Sequence, residues 1–411
     1  MKISNLLSER PIRTFSLPFL LGAAVVLLAG CPPKTPPLIH NATAITVGSN
    51  MFPGLGAGGV NHPYVSVSVC VPNSNAGSCA TVDNILLDTG SVGLRIFSSA
   101  LPISLVPIST GTNSGLFQCA AFGSGSVWGP VTQAVVTLGS EPAVTVPIQV
   151  LAPGQGPAPP TNSGCNLGTL TKPTDAGLNG VLGLAPFQHD NDSVILANSD
   201  VYFSCGMTSA CGSALTTVAS AQQVANPVFV LPGDNNGIII KLPSVPNSGA
   251  VNEGGDLIFG LNTVTPFNDP MALSGSATIH IINKSAFQTP TMFNGVLSNA
   301  FVDTGSDAMF FPSTMPSCGG LLGSFYCPNS STMLAAQIDP AAANLPVAFQ
   351  VDNATTLTAT GLTAFPNIGG NFGSGFLWGI PFFYGRIIYI VYGPVTGSVT
   401  WNPPMWAFSS M

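Results

Sequence analysis

Charged side chains are scarce in this sequence. Only 6% of its 411 residues are charged, and the nine basic residues face sixteen acidic ones, giving a formal net charge of −7. So few lysines and arginines cannot form a strong basic patch that neutralises phosphates, which excludes nucleic acid as an expected partner. The four histidines are scattered and no Cys-x-x-Cys pair occurs, so we expect neither a metal site nor another cofactor.

Long helical patterns are also rare. The sequence has 46 glycines and 37 prolines, and short runs rich in Val, Ile and Thr lie between them, as in the alternating segment 63–69. This composition predicts an all-β protein with many turns. The best candidate for a helix is 214–224. The apolar run 376–391 is broken by Pro381 and Arg386, and it predicts two buried strands flanking a turn.

The N-terminal segment has the pattern of an export signal. Three basic residues precede the apolar stretch 15–30, which ends in Leu28-Ala29-Gly30-Cys31. This ending resembles the bacterial lipobox, in which the cysteine is lipidated and becomes the mature N-terminus; the alternative is an ordinary signal peptide with an incidental cysteine. We therefore expect a lipoprotein signal peptide over 1–30 and a stiff, proline-rich tether over 31–40.

The remaining cysteines predict disulfides. An even number of cysteines in a chain addressed to an oxidising compartment indicates that they are paired. Eight cysteines allow on the order of a hundred pairings, and the simplest joins close neighbours and leaves Cys119 with Cys165. The eight residues are Cys70, Cys79, Cys119, Cys165, Cys205, Cys211, Cys318 and Cys327.

An approximate internal repeat organises the chain. The segment Ile85-Leu86-Leu87-Asp88-Thr89-Gly90-Ser91 recurs as Ala300-Phe301-Val302-Asp303-Thr304-Gly305-Ser306. Each copy is followed downstream by two apolar residues and a glycine, in Val181-Leu182-Gly183-Leu184 and in Leu377-Trp378-Gly379-Ile380. Two copies of one pattern predict two similar lobes with a boundary near residue 225.

Asp88 and Asp303 are the candidate catalytic residues. A buried strand ending in Asp-Thr-Gly-Ser delivers a carboxylate into a tight turn, where Gly allows close approach of the backbone and the hydroxyls can hold the carboxylate. Two such loops that meet would bring two carboxylates side by side, and the pair would share a proton because both cannot ionise at that distance. One carboxylate can then act as base on a water and the other as acid toward a substrate carbonyl. The alternative is that each motif is only a strand-ending turn.

The chain resembles the pepsin-like aspartic proteases over nearly all of 60–400. Beside the two Asp-Thr-Gly-Ser motifs, Phe122-Gly123-Ser124-Gly125-Ser126-Val127-Trp128-Gly129 resembles the family's flap, a hairpin that covers bound peptide and that we place at 119–130. Asn179-Gly180-Val181-Leu182-Gly183-Leu184-Ala185 and Gly255-Asp256-Leu257-Ile258-Phe259-Gly260 are similar to two further segments of the family. The chain also resembles an uncharacterised family of secreted bacterial proteins.

The resemblance implies an all-β, bilobal fold with two similar β-barrel-like lobes, 41–225 and 226–411, and a cleft between them. It implies that Asp88 and Asp303 are the catalytic pair of a monomer that takes an extended polypeptide as substrate or ligand. The threonines would grip one loop against the other, and the serines would bond the outer carboxylate oxygens. The supporting and flap residues are Thr89, Gly90, Ser91, Thr304, Gly305, Ser306, Phe122, Gly123, Ser124 and Gly125.

Two positions depart from the family pattern. Phe122 stands where the flap has a tyrosine, and Arg95 stands where its tryptophan partner would be, so the hydrogen bond between those side chains cannot form. Asp307, directly after the second motif, is expected to be an exposed turn carboxylate. The sequence therefore leaves three functions open: an aspartic endopeptidase, a peptide-binding or structural lipoprotein with weak or no catalysis, and a cell-surface adhesion or assembly protein.

Lipidation of Cys31 is the first testable expectation. Several acyl chains on a mature N-terminal cysteine would anchor the protein stably. Pro32 follows the cysteine where an aspartate would resemble a signal for inner-membrane retention, so we expect an outer-membrane lipoprotein of the cell envelope. Mass spectrometry of the mature protein should find an acylated Cys31 as the first residue; an unmodified Cys31, or cleavage elsewhere, would contradict this expectation.

Overall fold

The computed structural model of the chain covers most of the region after residue 40. It describes residues 41–48, 60–73, 78–123, 125–152, 156–160, 165, 173, 177–192, 200–206, 210–215, 217–283, 288–339, 344–397, 399 and 401–411. The predicted signal peptide and tether, including Cys31, lie outside the described residues, as does Ser124 of the flap.

Strands make up most of the regular structure. They are β1 Ala42–Val47, β2 Pro63–Cys70, β3 Cys79–Asp88, β4 Val92–Phe97, β5 Ser109–Gly111, β6 Ser114–Phe122, β7 Gly125–Leu138, β8 Val144–Leu151, β9 Gly180–Leu184, β10 Asp200–Gly206, β11 Cys211–Ala214, β12 Gly237–Leu242, β13 Glu253–Phe259, β14 His280–Asn283, β15 Gln288–Phe293, β16 Val296–Val302, β17 Met309–Phe310, β18 Thr332–Ile338, β19 Leu345–Val351, β20 Gly369–Gly370, β21 Leu377–Trp378, β22 Arg386–Val391 and β23 Met405–Ser410.

Helices are short wherever the structure describes the chain. The α-helices are α1 Pro270–Ser274, α2 Ala354–Thr358 and α3 Ile380–Phe383, and the 3-10 turns are Ser98–Ala100, Ser220–Gln222, Pro227–Val230 and Gly320–Leu322. None of the helices in this part of the chain has the length and apolar character needed to cross a membrane.

The strands form one sixteen-stranded sheet and one seven-stranded sheet. The larger sheet runs in the order β11-β10-β6-β7-β8-β4-β9-β3-β2-β1-β13-β12-β22-β23-β14, with β5 paired to β6. The smaller sheet has the order β19-β18-β15-β16-β21-β17-β20. Because β1 pairs with both β2 and β13, the early part of the chain and the late part share one continuous set of backbone hydrogen bonds.

The same three-strand unit occurs twice. In the first copy β9 lies parallel to β3 and antiparallel to β4, so Asp88 at the end of β3 is level with Gly183. In the second copy β21 lies parallel to β16 and antiparallel to β17, with Val302 level with Trp378. This duplication confirms the predicted fold class, an all-β bilobal fold of the pepsin-like aspartic protease type with two similar lobes.

A glycine in each copy lets the third strand pass close to the aspartate loop. A Cβ added at Gly183 would lie 2.6 Å from the backbone nitrogen of Val92. A Cβ added at Gly379 would lie 2.0 Å from the carbonyl oxygen of Ala308 and 2.6 Å from that of Ser306. Side chains cannot be accommodated at such distances, which explains why the sequence repeats an apolar pair followed by glycine in both halves.

The two lobes are filled differently. Behind the first motif the core is aliphatic and includes Leu87, Leu94 and Leu182, each with no exposed surface. Behind the second motif aromatic rings pack together, and the ring centroid of Phe376 lies 4.7 Å from that of Trp378 and 6.1 Å from that of Phe311. Each fully buried large side chain stabilises the fold by about 1.5–3 kcal/mol relative to exposure, so both cores hold their aspartate loops on a rigid base.

The predicted disulfides are present. Three of them close short loops of 9, 6 and 9 residues, and one joins positions 46 residues apart. The longer closure removes more freedom from the unfolded chain, about 4 kcal/mol against about 2–3 kcal/mol on the loop-entropy model. The pairs are Cys70–Cys79, Cys119–Cys165, Cys205–Cys211 and Cys318–Cys327.

The helix predicted over 214–224 is wrong. Ala214 is the last residue of β11, which pairs with β10, and only a 3-10 turn at Ser220–Gln222 follows. The backbone N–H of Val224 donates to the Tyr202 hydroxyl, so tertiary contacts hold this segment extended. In the run 376–391 the buried strands β21 and β22 flank the single turn of α3, as the sequence predicted.

Candidate active site

The first candidate residue, Asp88, is the last residue of β3. Its side chain is buried, and its two oxygens have different donors within the same loop. The backbone N–H of Gly90 donates to Oδ1 at 2.8 Å, and the Ser91 hydroxyl donates to Oδ2 at 2.5 Å. The loop therefore fixes the orientation of the carboxylate through two short hydrogen bonds.

The second candidate residue, Asp303, is held in the same way. The backbone N–H of Gly305 donates to its Oδ1 at 2.8 Å, and the Ser306 hydroxyl donates to its Oδ2 at 2.7 Å. Its own backbone N–H donates to the carbonyl of Trp378 at 2.9 Å, which attaches the start of the loop to β21. The structure thus gives Ser91 and Ser306 the contacts expected from the sequence.

The two loops are joined by a reciprocal exchange of hydrogen bonds between threonines. The backbone N–H of Thr89 donates to Thr304 Oγ1, and the backbone N–H of Thr304 donates to Thr89 Oγ1, both at 3.0 Å. Each hydroxyl then donates across to the other loop, Thr89 to the Val302 carbonyl at 2.9 Å and Thr304 to the Leu87 carbonyl at 2.6 Å. Both threonines are fully buried, so water does not compete for the groups that form these four hydrogen bonds.

Each loop glycine lies against the carboxylate of the other loop. A Cβ built on Gly90 would fall 2.7 Å from Asp303 Cγ, and one built on Gly305 would fall 2.7 Å from Asp88 Oδ1. Any side chain at either position would push the opposite carboxylate away. The absence of a Cβ is therefore what allows two carboxyl groups to approach each other here.

The environment of the pair favours a bound proton. Burial raises the pKa of Asp303 well above its usual range, and the negative charge of Asp88 and a hydrogen bond with it raise this pKa further. The donors Ser306 and Gly305 act in the opposite direction and are outweighed. Two carboxyls in this arrangement share one proton, which gives the site a base and an acid at the same pH.

Asp307 is not the exposed carboxylate that the sequence predicted. It is partly buried, and this burial raises its pKa to about 7. Its position next to the second loop makes it an additional group that ionises near neutrality.

Within the described residues, no group of three or more His, Cys, Asp or Glu side chains is arranged to hold a metal ion.

Asn61 supports the second loop, and no pattern in the sequence pointed to it. Its side-chain amide donates to the Asp307 carbonyl and to the Phe365 carbonyl, each at 2.8 Å. Its side-chain oxygen accepts from the Phe365 backbone N–H at 2.7 Å and from the Tyr384 hydroxyl at 2.8 Å. A buried asparagine with all these partners ties a segment from early in the chain to the loop that carries Asp303.

The flap is the hairpin of β6 and β7, with Phe122 paired to Gly125 at its end and Gly123 in the turn. The Phe122 side chain is partly buried and has no hydroxyl with which to bond. The guanidinium carbon of Arg95 lies 5.8 Å from the centroid of its ring. A cation–π contact thus joins the two positions where the pepsin-like pattern has a hydrogen-bonded tyrosine and tryptophan.

Arg95 is the centre of a buried polar cluster. It forms an ion pair with Asp190 at 3.2 Å and donates to Gln149 at 3.1 Å, and the Gln118 amide also bonds Asp190. The Tyr202 hydroxyl donates to both oxygens of Asp190 at 2.7 and 2.9 Å. Burial raises the pKa of Asp190, while Arg95, Tyr202 and Gln118 lower it. The sequence showed that a tryptophan was missing but did not show these partners.

Comparison with known proteins gives a family and similar solved structures. A family model described as "Protein of unknown function (DUF3443)" matches residues 37–408. No curated protein matches the chain. The crystal structure of the aspartic proteinase from Irpex lacteus is similar, with a TM-score of 0.45 and 15% sequence identity, over 90% of this chain and 96% of that chain.

The threonine exchange generates a prediction about stability. In Thr304→Val the buried Leu87 carbonyl and Thr89 N–H lose their partner, and we expect the free energy of unfolding to fall by about 2–4 kcal/mol. Thr304→Ser keeps the hydroxyl and loses one methyl group, so it should cost only about 1 kcal/mol. Urea unfolding of both variants checks this, and a valine variant no less stable than the serine variant would show that the exchange does not hold the loops together.

The raised pKa of Asp303 generates a prediction about pH. The protonated carboxyl is favoured in the folded state, so its stabilisation is complete below the ordinary aspartate pKa and is lost as pH rises through the raised value. Asp303→Asn cannot ionise and should lack this loss, so its free energy of unfolding relative to wild type should increase as pH rises. If the substitution also alters hydrogen bonds, it shifts the free energy of unfolding by the same amount at every pH and leaves this trend unchanged.

The matched control for this experiment is Asp83→Asn, which removes an exposed carboxyl from the same strand as Asp88. Its stability curve should run parallel to that of wild type from acid to neutral pH. Parallel curves for Asp303→Asn and wild type would mean that Asp303 ionises as freely in the folded state as in the unfolded state.

Proposed function

The chain belongs to the family described as "Protein of unknown function (DUF3443)", and we propose that it is an aspartic endopeptidase of the bacterial cell envelope. The observation that carries the proposal is the symmetry of the two carboxylates. Asp88 and Asp303 accept equivalent donors from their own loops, and each lies against the glycine of the other loop. If each motif were only a turn that ends a strand, its carboxylate would not have to lie against the glycine of the other loop.

The arrangement supports hydrolysis by an activated water. Asp88 accepts a proton from the water, whose oxygen attacks the carbonyl carbon of the peptide bond, while Asp303 gives its proton to the carbonyl oxygen. The tetrahedral intermediate then returns a proton to Asp303 from its hydroxyl and receives one from Asp88 on the leaving nitrogen as the C–N bond breaks. Both carboxyls end in their starting states, and no covalent enzyme intermediate forms.

A second candidate function is a peptide-binding or structural lipoprotein that keeps the cleft without efficient catalysis. Two observations favour it: Phe122 gives the flap no hydroxyl, and Arg95 is engaged with Asp190. In this case the carboxyl pair would still bind a polypeptide backbone through its hydrogen bonds. The two functions differ in the rate of the chemical step and not in the ligand.

The proposed location is the outer membrane, with the lipid on Cys31 as anchor and the lobes acting as a monomer. The support comes from the disulfides, which form and persist in oxidising compartments outside the cytoplasm. A tether of prolines after Cys31 would keep the cleft accessible to polypeptides near the membrane.

The proposed activity predicts which variants lose cleavage. We expect the detergent-purified protein to cleave a mixed peptide library with an optimum below neutrality, and Asp88→Asn and Asp303→Asn each to reduce the rate at least about 100-fold. Rates from about pH 3 to about pH 7 would be compared with those of Asp83→Asn, which should be unchanged. Phe122→Tyr restores a flap hydroxyl and should raise the rate if the flap limits catalysis.

Binding of a statine inhibitor separates the two functions. Its hydroxyl would occupy the position of the attacking water, so it should bind wild type and lose affinity in both asparagine variants. Inhibitor binding without cleavage would favour the peptide-binding protein. Neither cleavage nor inhibitor binding at any pH in this range would contradict the peptidase.

A further inference from the structure

A cavity lies in the second lobe, and neither Asp88 nor Asp303 is among its lining residues. Its volume is about 330 Å³, within the range of small-molecule sites. Its lining mixes apolar side chains, including Met309, Phe349 and Trp378, with polar ones such as Gln350. A site of this kind accepts a molecule with an apolar body and a polar end.

Arg386 is the charged residue among those that line the cavity. Its guanidinium is partly buried and stacks over Phe382 and Phe408, with 4.7 and 5.6 Å to the two ring centroids. Its Nη1 donates to the Phe382 carbonyl at 2.6 Å and to the Tyr384 carbonyl at 3.5 Å. In the described part of the chain, Nε and Nη2 have no acceptor, which leaves the N–H of Nε and both N–H groups of Nη2 available.

Arg386 also lacks a counterion among the described residues. Arg95, the other arginine after Arg13, forms its buried ion pair with Asp190 at 3.2 Å. No carboxylate side chain that the structure describes pairs with Arg386 in this way. Burial raises the pKa of the Tyr384 hydroxyl well above its ordinary value and the charge of Glu253 raises it further, but Glu253 forms no ion pair with Arg386. Burial lowers the pKa of Arg386 to about 10, so it is still a cation at neutral pH.

These features select a class of ligand. An unpaired arginine fork matches the two oxygens of a carboxylate, and its partial burial strengthens such a charge-assisted bond. A single cation cannot neutralise several charges, which disfavours polyphosphates, and the apolar side chains in the lining favour a ligand with an apolar body over a small hydrated anion. We propose that this cavity binds a small monocarboxylate with an apolar body, and that Arg386 holds its carboxylate.

The site is separate from the proposed peptidase but adjoins it. Trp378 lines the cavity, while its carbonyl accepts the backbone N–H of Asp303 at 2.9 Å. Its indole N–H donates to Thr291 at 2.9 Å, which fixes the ring. A bound ligand would therefore contact the strand that positions the second loop, whether or not the loop is catalytic.

Calorimetric titration of the detergent-purified full chain tests the proposal. Hexanoate should bind in the millimolar range or tighter, and hexanol and hexylamine, which share its body without the carboxylate, should bind at least about tenfold more weakly. Inorganic phosphate and acetate should not bind measurably, because they lack the apolar body. Equal binding of hexanol and hexanoate, or no binding of hexanoate, would overturn the assignment.

Variants of the lining residues test where the carboxylate of hexanoate binds. Arg386→Gln should weaken hexanoate binding at least about tenfold, while Lys241→Gln, which removes the same charge from a residue outside the cavity, should leave it unchanged. Ala348→Trp places a large ring at an exposed lining position and should block binding with Arg386 intact. If Arg386→Gln does not fold, the Ala348→Trp result decides; unchanged binding in a folded Arg386→Gln or in Ala348→Trp would contradict the site.

Discussion

The mutual hydrogen bonding of Thr89 and Thr304 is the interaction on which the rest of the site depends. These two side chains bring loops from distant parts of the chain to a fixed separation, in a place without competing solvent. The glycines after them then leave room for the carboxylates to approach, and burial, together with the nearby charge of Asp88, raises the pKa of Asp303. Proton sharing is therefore a consequence of packing: the loops must first be held before the carboxyls can influence each other.

Each lobe contains one arginine, and the two arginines differ in whether a carboxylate neutralises their charge. In the first, Arg95 is neutralised by Asp190 behind the flap, and breaking such a buried pair leaves an uncompensated charge that typically costs about 3–5 kcal/mol. In the second, Arg386 stacks on aromatic rings and is left without a carboxylate partner in the described part of the chain. One arginine is thus committed to structure, and the other is available to a ligand.

The sequence predicted those parts of the molecule that local patterns encode. The two Asp-Thr-Gly-Ser motifs predicted the loops, the apolar pairs with glycine predicted the strands behind them, and cysteine spacing predicted the disulfides. The helix over 214–224 failed because β10 and the contacts of Tyr202 hold that segment extended. Asn61 and Asp190 were not found, because an isolated polar residue whose partners are far away in the chain leaves no periodic trace.

The crossed placement of Gly90 and Gly305 also constrains how the two halves can diverge. Although the halves are separate copies of one unit, each glycine serves the carboxylate of its counterpart. A side chain introduced at the glycine of one loop would therefore displace the carboxylate of the other loop, although the sequence of that other loop is unchanged. The two loops therefore constrain each other at these glycines, even though the side chains packed behind the first motif are aliphatic and those behind the second are aromatic.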